Sequence, residues 1–280
     1  MSGNIAAVGE VGHTAGLNFT LAAEQSKLFQ IRHSYGALMT KTDYAPLILI
    51  SGASQGIGAA IAEAFSNAGF PVRLALLARS LSALQQVQAH CNGAQEVKVY
   101  SVDVSDAEQL AKFSTQLHSD MGDVDVLINN AGSWLGKSIV EMDVADFDQI
   151  IAVNLRSCFL LSKLVLPAML RRRSGDIFNM SSTAGLEGYA DVSAYCAAKH
   201  GVAGFTKALR EEVRGAGIRV SCVYPGPTYS PSWQGSGVDR ESLMPAEDVA
   251  RAFLEIYRMS RNVVVEDIVL RPQSGHIVSS

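Results

Sequence analysis

The feature that most constrains this chain is a regular alternation, from Pro46 onward, of short apolar runs with longer segments of helical periodicity. The apolar runs have the length and composition of buried strands; they are 47–50, 72–77, 97–102, 124–128, 177–180, 219–223 and 267–270. The helical patterns between them are 57–68, 81–90, 106–119 with a cap at Ser105, 144–172, 194–214 and a last one from about Pro245. This order predicts an α/β fold with a single Rossmann-like, doubly wound parallel sheet and helices on both faces.

The chain divides into two parts by composition. Residues 46–280 are predicted to form one domain. Residues 1–45 form an N-terminal extension that carries no strand pattern and is predicted to be loosely attached or disordered. The alternative is one amphipathic helix docked on the domain, built on Leu17, Leu21, Leu28, Phe29 and Ile31. Met39 would itself be an ordinary beginning for the domain that follows.

Charge and composition exclude several function classes. A net charge of −4 argues against nucleic acid as a partner, because phosphate binding needs a basic face. No uninterrupted apolar run approaches the ~20 residues that a membrane helix needs. The four cysteines are scattered without a CxxC pair, which indicates a reducing, cytoplasmic location and no metal site.

A glycine-rich turn, SGASQGIG at 51–58, follows the first strand and opens the first helix. Glycine allows positive φ and a close backbone approach, and a helix N-terminus offers free N–H groups to a pyrophosphate. The spacing is G-x-x-x-G-x-G, so a tight βα turn without a ligand is the alternative interpretation.

Two further positions carry chemistry. Tyr195 and Lys199 lie four residues apart, on one face of a helix, where an ammonium favours the phenolate form of a nearby phenol. On its own, a tyrosine four residues before a lysine is more often a pair of surface side chains that share one face of a helix. Ser181 and Ser182 end a strand, at the edge where open α/β sheets bind ligands, although a turn serine is the commoner role.

Taken together, these motifs resemble the short-chain dehydrogenase/reductase family over about residues 46–272. In chain order they are SGASQGIG at 51–58, Asp103, Asn129-Asn130-Ala131-Gly132, Asn154, Ser182, Tyr195 with Lys199, and Pro225-Gly226. The serine of the family lies thirteen residues before its tyrosine, which selects Ser182 over Ser181. The resemblance implies an enzyme that interconverts a carbonyl and an alcohol by hydride transfer with NADP(H).

The resemblance also implies a role for each catalytic residue. Tyr195 is the general acid in reduction and the base in oxidation. Lys199 favours the phenolate of Tyr195 and holds the nicotinamide ribose, Ser182 polarises the carbonyl, and Asn154 holds a water that connects Lys199 to solvent. A dinucleotide-binding regulatory protein without catalysis is the alternative, and the four intact catalytic groups speak against it.

The implied cofactor contacts run along the carboxyl edge of the sheet. They are Ser51, Gly52, Ser54, Gln55, Gly56, Ile57, Gly58, Arg79, Asp103, Val104, Asn130, Ala131, Gly132, Tyr195, Lys199, Pro225, Gly226 and Thr228. An acidic residue at position 78 would bind the 2′-hydroxyl of NAD. Because Ala78 stands there and Arg79 follows, the sequence predicts a preference for the 2′-phosphate of NADP(H).

The chain departs from the family in its extension and after Pro225-Gly226. The family more often has an aliphatic residue and then a threonine there, so Ser230 is an alternative to Thr228. The substrate loop, 229–243, is short and carries Trp233, which suits an open cleft for a small-molecule carbonyl or alcohol. The apolar helix around Phe159 predicts a homodimer or homotetramer.

Overall fold

The computed structural model describes residues 44–233 and 237–275. Its sheet has the strand order β3-β2-β1-β4-β5-β6-β7. The strands are β1 (Leu47–Ser51), β2 (Arg73–Ala78), β3 (Glu96–Ser101), β4 (Val126–Asn129), β5 (Gly175–Met180), β6 (Ile218–Pro225) and β7 (Asp267–Leu270). Every neighbouring pair is parallel, so the predicted fold class is confirmed.

The helices lie close to the predicted segments. They are α1 (Gly56–Ser66), α2 (Leu81–His90), α3 (Ala107–Met121), α4 (Val144–Ile151), α5 (Ser157–Arg172), α6 (Ser193–Glu212) and α7 (Ala246–Arg258). The predicted cap of α3 at Ser105 is wrong, because Asp106 accepts the N–H groups of Glu108 and Gln109 at 2.9 and 3.1 Å. A carboxylate also gains from the positive end of the helix dipole, and the Ser105 hydroxyl instead donates to Asp103.

The sheet has a hydrophobic core on each face. Side chains alternate along β1, so that Ile48 and Ile50 face one core while Leu47 and Leu49 face the other. The first core includes buried residues of α1, α2 and α7, and the second includes those of α3, α5 and α6. The helices on both faces leave the carboxyl edge of the strands open.

A π-helical segment, Ala152–Arg156, joins α4 to α5 without a break. The continuous stretch Val144–Arg172 is the one helix in the described ranges that is long and apolar enough to cross a membrane by length and composition. In this fold its side chains Leu161, Val165 and Met169 are buried in the second core.

Residues Ala45–Ser280 form one compact unit. Residues 1–43 lie outside the described ranges. The predictions for the extension over 1–45, including the alternative docked helix, fall almost entirely on these residues.

Candidate active site

The turns that follow β1 and β4 meet where the strand order reverses direction. The Ser51 hydroxyl accepts the backbone N–H groups of Asn130 and Ala131, both at 3.0 Å. The Asn130 side-chain amide donates in return to the carbonyl oxygens of Ser51 and Gly52, at 3.0 and 3.1 Å. The two turns are therefore fixed to each other at the crevice where open α/β sheets bind ligands. The side chains of Ser51 and Asn130 thus hold the two turns together by hydrogen bonds.

The glycines of the first turn are required by its geometry. Gly52 and Gly56 have φ of +65° and +55°, a region that other residues rarely adopt. A Cβ on Gly58 would lie 2.2 Å from the Gly52 carbonyl oxygen. Gln55 precedes α1 and gives it no side-chain cap, and the first turn of α1 holds no acidic residue. This helix terminus therefore has the free N–H groups and positive potential that suit a pyrophosphate.

Tyr195 and Lys199 stand in the first two turns of α6. The Lys199 ammonium lies 5.5 Å from the centre of the Tyr195 ring, and it is only 3% exposed. It donates to the Met180 carbonyl oxygen at 2.9 Å, which ties it to the end of β5. An ammonium has three donors, so two remain for the phenol oxygen or a bound ribose. The burial keeps the charge of Lys199 effective at short range.

The π-helical segment brings Asn154 to the same place. Its side-chain amide donates to the carbonyl oxygens of Ile150 and Ser133, both at 2.9 Å, and its oxygen accepts the Ser133 N–H at 3.3 Å. A Cβ on Gly132 would lie 2.8 Å from this oxygen and 3.6 Å from the Lys199 Nζ. Asn154, Gly132 and Lys199 therefore share one cluster. π-helical turns are frequent at functional sites.

The two serines after β5 have different environments. Ser181 is buried, and its hydroxyl donates to the Lys199 carbonyl oxygen at 2.9 Å. Ser182 is half-buried, and its oxygen accepts the Ala184 N–H at 3.2 Å. Ala184 packs in the same apolar cluster as Tyr195. Ser181 therefore anchors α6 to β5, while no described residue accepts the proton of the Ser182 hydroxyl.

The other end of the crevice carries Arg79, Asp103 and Val104. The Arg79 side chain is exposed and makes no ion pair within the described ranges, while its carbonyl oxygen accepts the Ser101 hydroxyl at 2.8 Å. The Asp103 carboxylate accepts both the N–H and the hydroxyl of Ser105, at 2.8 and 2.7 Å. A cation thus stands at the end of β2, without an acidic residue before it.

The segment after β6 places its two candidate hydroxyls differently. The Thr228 hydroxyl donates to the Gly226 carbonyl oxygen at 2.9 Å and is mostly buried. Ser230 instead lies against the glycine turn, with its Cβ 3.1 Å from the position of a Cβ on Gly56. Ser230 therefore stands closer to the helix terminus that suits a pyrophosphate.

Several polar residues near the site have no motif to single them out. The Ser133 hydroxyl is buried without a partner among the described residues, beside Asn154. Glu187 and Arg271 form an ion pair of 2.7 Å between the turn after Ser182 and the segment after β7. That hydrogen bond raises the pKa of the Arg271 guanidinium. A cavity of about 450 Å³ lies beyond Arg271, beside the start of α7, and its lining includes none of the catalytic candidates.

The family model described as short chain dehydrogenase matches residues 46–241. A sepiapterin reductase of Chlorobaculum tepidum is 32% identical over 238 residues, which cover 82% of this chain and 98% of that protein. An NADP-dependent 3-hydroxy acid dehydrogenase of Schizosaccharomyces pombe is 33% identical over 239 residues, which cover 80% and 92%.

Solved structures show the same likeness. An alcohol dehydrogenase of the archaeon Thermococcus sibiricus, complexed with 5-hydroxy-NADP, has a TM-score of 0.76 at 27% identity and covers 84% of this chain and 100% of its own. A metagenomic short-chain oxidoreductase in complex with NADP has a TM-score of 0.71 at 33% identity and covers 81% and 97%. The matched family model spans most of the domain, and the chain therefore belongs to the short-chain dehydrogenase family.

Proposed function

We propose that this protein is an NADP(H)-dependent oxidoreductase that interconverts a carbonyl compound and an alcohol. The observation that carries the proposal is the cluster of Tyr195, Lys199, Asn154 and Gly132, in the same crevice as a helix terminus suited to a pyrophosphate. The family and the NADP-bound structural relatives support it.

In reduction, the Tyr195 hydroxyl donates its proton to the carbonyl oxygen of the substrate. The Lys199 ammonium stabilises the phenolate that this leaves, since it lies on the tyrosine ring and is shielded from water. The free proton of Ser182 hydrogen-bonds the same carbonyl oxygen and orients it. Bound NADPH would supply the hydride that the carbonyl carbon accepts.

Asn154 completes the path by which the proton on Tyr195 is replaced. Its side-chain oxygen lies in the same cluster as the Lys199 ammonium, since a Cβ on Gly132 would be 2.8 Å from that oxygen and 3.6 Å from the Lys199 Nζ. The unpaired Ser133 hydroxyl beside Asn154 needs a partner that the described residues do not supply. A bound water there would satisfy it and connect Lys199 to solvent.

The cofactor would be held by the two turns and by Arg79. Gly52, Gly56 and Gly58 let the pyrophosphate approach the start of α1. Arg79 would pair with the 2′-phosphate, because guanidinium matches phosphate in a forked geometry and no ion pair with a described residue competes for it. Ser230 and Thr228 would contact the cofactor from the segment after β6.

Assembly and location form the last part of the proposal. Apolar side chains of α4 and α5 are exposed in the single chain, including Val144, Phe147 and Phe159, which supports a homodimer or homotetramer. The four cysteines are buried and free, as in a protein of the reducing cytoplasm. Light scattering that returns 29.9 kDa at micromolar concentration would contradict the oligomer.

The decisive experiment measures oxidation of NADPH at 340 nm against a panel of ketones and aldehydes. We expect Tyr195→Phe to lose nearly all turnover and still bind NADPH, while Lys199→Ala loses both rate and affinity. A wild-type protein that binds NADPH but reduces nothing would favour the non-catalytic regulator. A Tyr195→Phe variant that keeps more than about a tenth of the wild-type rate would refute the role of Tyr195. Its activation free energy would then have risen by less than ~1.4 kcal/mol.

A further inference from the structure

The loop after β4 holds an exposed tryptophan close to the catalytic cluster. Ser133, directly before the tryptophan, exchanges two hydrogen bonds with Asn154. Further along, the Lys137 N–H donates to the Asp191 carbonyl oxygen at 2.7 Å. Between these two attachments stands Trp134, which is 67% exposed and lies over Gly136, where a Cβ would be 2.6 Å from its ring. The indole is thus presented to solvent from a loop that is fixed at both ends.

The loop after β5 adds apolar surface from the other side. It leaves the Ser182 turn through Leu186 and Glu187, whose N–H groups donate to the Thr183 carbonyl oxygen at 3.0 and 3.1 Å. Leu186 and Tyr189 are both exposed. The bond from the Lys137 N–H to the Asp191 carbonyl oxygen joins the two loops, and we call the exposed surface that carries Trp134, Leu186 and Tyr189 the mouth. Exposed aromatic and aliphatic side chains at a site favour an apolar, flat ligand group.

Glu187 of the mouth forms an ion pair with Arg271, which follows β7. Glu187 accepts hydrogen bonds from the Arg271 guanidinium at 2.7 Å and from the Tyr189 hydroxyl at 3.2 Å. The backbone beside Arg271 lies against Gly226, because a Cβ there would meet Pro272 and the Leu270 carbonyl oxygen at 3.2 and 3.3 Å. The pair therefore joins the serine-bearing turn to the segment after β7, which itself lies against the segment after β6. A carboxylate that entered could not pair with Arg271 without displacing Glu187 from it.

We propose that the substrate is a neutral carbonyl compound with a flat apolar group, bound against Trp134, and that Glu187 excludes carboxylate-bearing analogues. The inference rests on the proposed function and names the substrate class of the same site. Trp134 and Glu187 are its specificity determinants. Neither residue contributes to proton or hydride transfer.

A matched set of ketones tests the substrate class. Acetophenone is neutral and flat, 4-acetylbenzoate adds one carboxylate at the far end of the ring, and 2-butanone lacks the ring. The purified full chain with saturating NADPH is expected to show a kcat/KM for acetophenone at least tenfold above that for either of the others. Equal kcat/KM for acetophenone and 4-acetylbenzoate would overturn the inference.

Three variants assign the selectivity to residues. Glu187→Gln keeps the shape of the side chain and removes the negative charge that competes for Arg271, so the preference for acetophenone over 4-acetylbenzoate should fall at least tenfold. Trp134→Ala should lower the preference for acetophenone over 2-butanone at least fivefold. Met259→Ala removes an exposed apolar side chain after α7, at the opposite edge of the sheet, and should leave both ratios unchanged.

The possible failures are distinguishable. If no carbonyl compound in any assay is reduced, the proposed function itself fails. If ketones are reduced but both ratios survive Glu187→Gln and Trp134→Ala, the enzyme stands and the inference about its substrate is wrong. A melting temperature within about 3 °C of wild type for each variant shows that a changed ratio comes from the site.

Discussion

One added methyl group, in Gly132→Ala, tests whether the catalytic cluster is as tightly packed as it looks. The new Cβ would lie 2.8 Å from the Asn154 side-chain oxygen and must move to about 3.4 Å, the start of ordinary contact. Asn154 is fully buried and held by Ser133 and Ile150, so it has no free direction in which to retreat. The hydrogen bond from the Ser133 N–H, already 3.3 Å long, would break first.

The size of the effect follows from that bond. An unpaired buried donor or acceptor costs roughly 1–3 kcal/mol. If this free energy is added to the activation free energy of the reaction, kcat/KM drops by about five- to 150-fold. The measurement is steady-state kinetics with NADPH and a ketone substrate, together with the melting temperature and the Kd for NADPH.

Gly93→Ala is the matched control, since its Cβ would lie 2.3 Å from the Ser66 carbonyl oxygen at the far edge of the sheet. It should lower the melting temperature and leave kcat/KM of the folded enzyme within about twofold. If Gly132→Ala keeps more than half of the wild-type kcat/KM, the reasoning about Asn154 is refuted.

Three further predictions concern stability, cofactor choice and the extension. Asp176→Asn leaves two arginines without their buried carboxylate, so urea unfolding should show a loss of about 3–5 kcal/mol, whereas Glu211→Gln in an exposed pair should leave the free energy of unfolding nearly unchanged; similar values for both would contradict this. Arg79→Ala should raise KM for NADPH at least tenfold, which corresponds to ~1.4 kcal/mol of binding free energy. It should leave KM for NADH nearly unchanged, and an equal change for both cofactors would argue against a phosphate contact. A chain that begins at Met39 should keep its melting temperature and kcat/KM, and unfolding of that chain would place the extension in the fold.

Much of the fold could be predicted from the sequence because a parallel sheet leaves a simple signal. Strands such as β1, buried on both faces, are apolar throughout, and the helices between them carry 3.6-residue periodicity. The cap of α3 shows where this signal ends. Ser105 and Asp106 are both good cap residues, and only the positions of the N–H groups of Glu108 and Gln109 decide between them.

The candidate site divides in the same way. The spacing of residues in the sequence is enough to predict the glycine-rich turn and the pair of Tyr195 and Lys199. The Glu187–Arg271 pair cannot, because its residues are 84 positions apart and meet only when β7 joins the sheet beside β6. The position of Ser230 against Gly56 also depends on the path of a loop, which no local pattern fixes.

Asn154 shows why the separate motifs act as one unit. In the π-helical turn, the side-chain N–H₂ group of Asn154 donates to the carbonyl oxygens of Ile150 and Ser133. The side-chain oxygen of Asn154 leaves no room for a Cβ at position 132, so that position needs glycine. Gly132 in turn follows the Asn130 turn, which Ser51 fixes to the first strand. Through these contacts we expect a change at the glycine turn to shift Asn154, the group beside Lys199. For this reason we expect substitutions in either turn to alter both NADPH binding and turnover, in contrast to Tyr195→Phe, which should alter turnover alone.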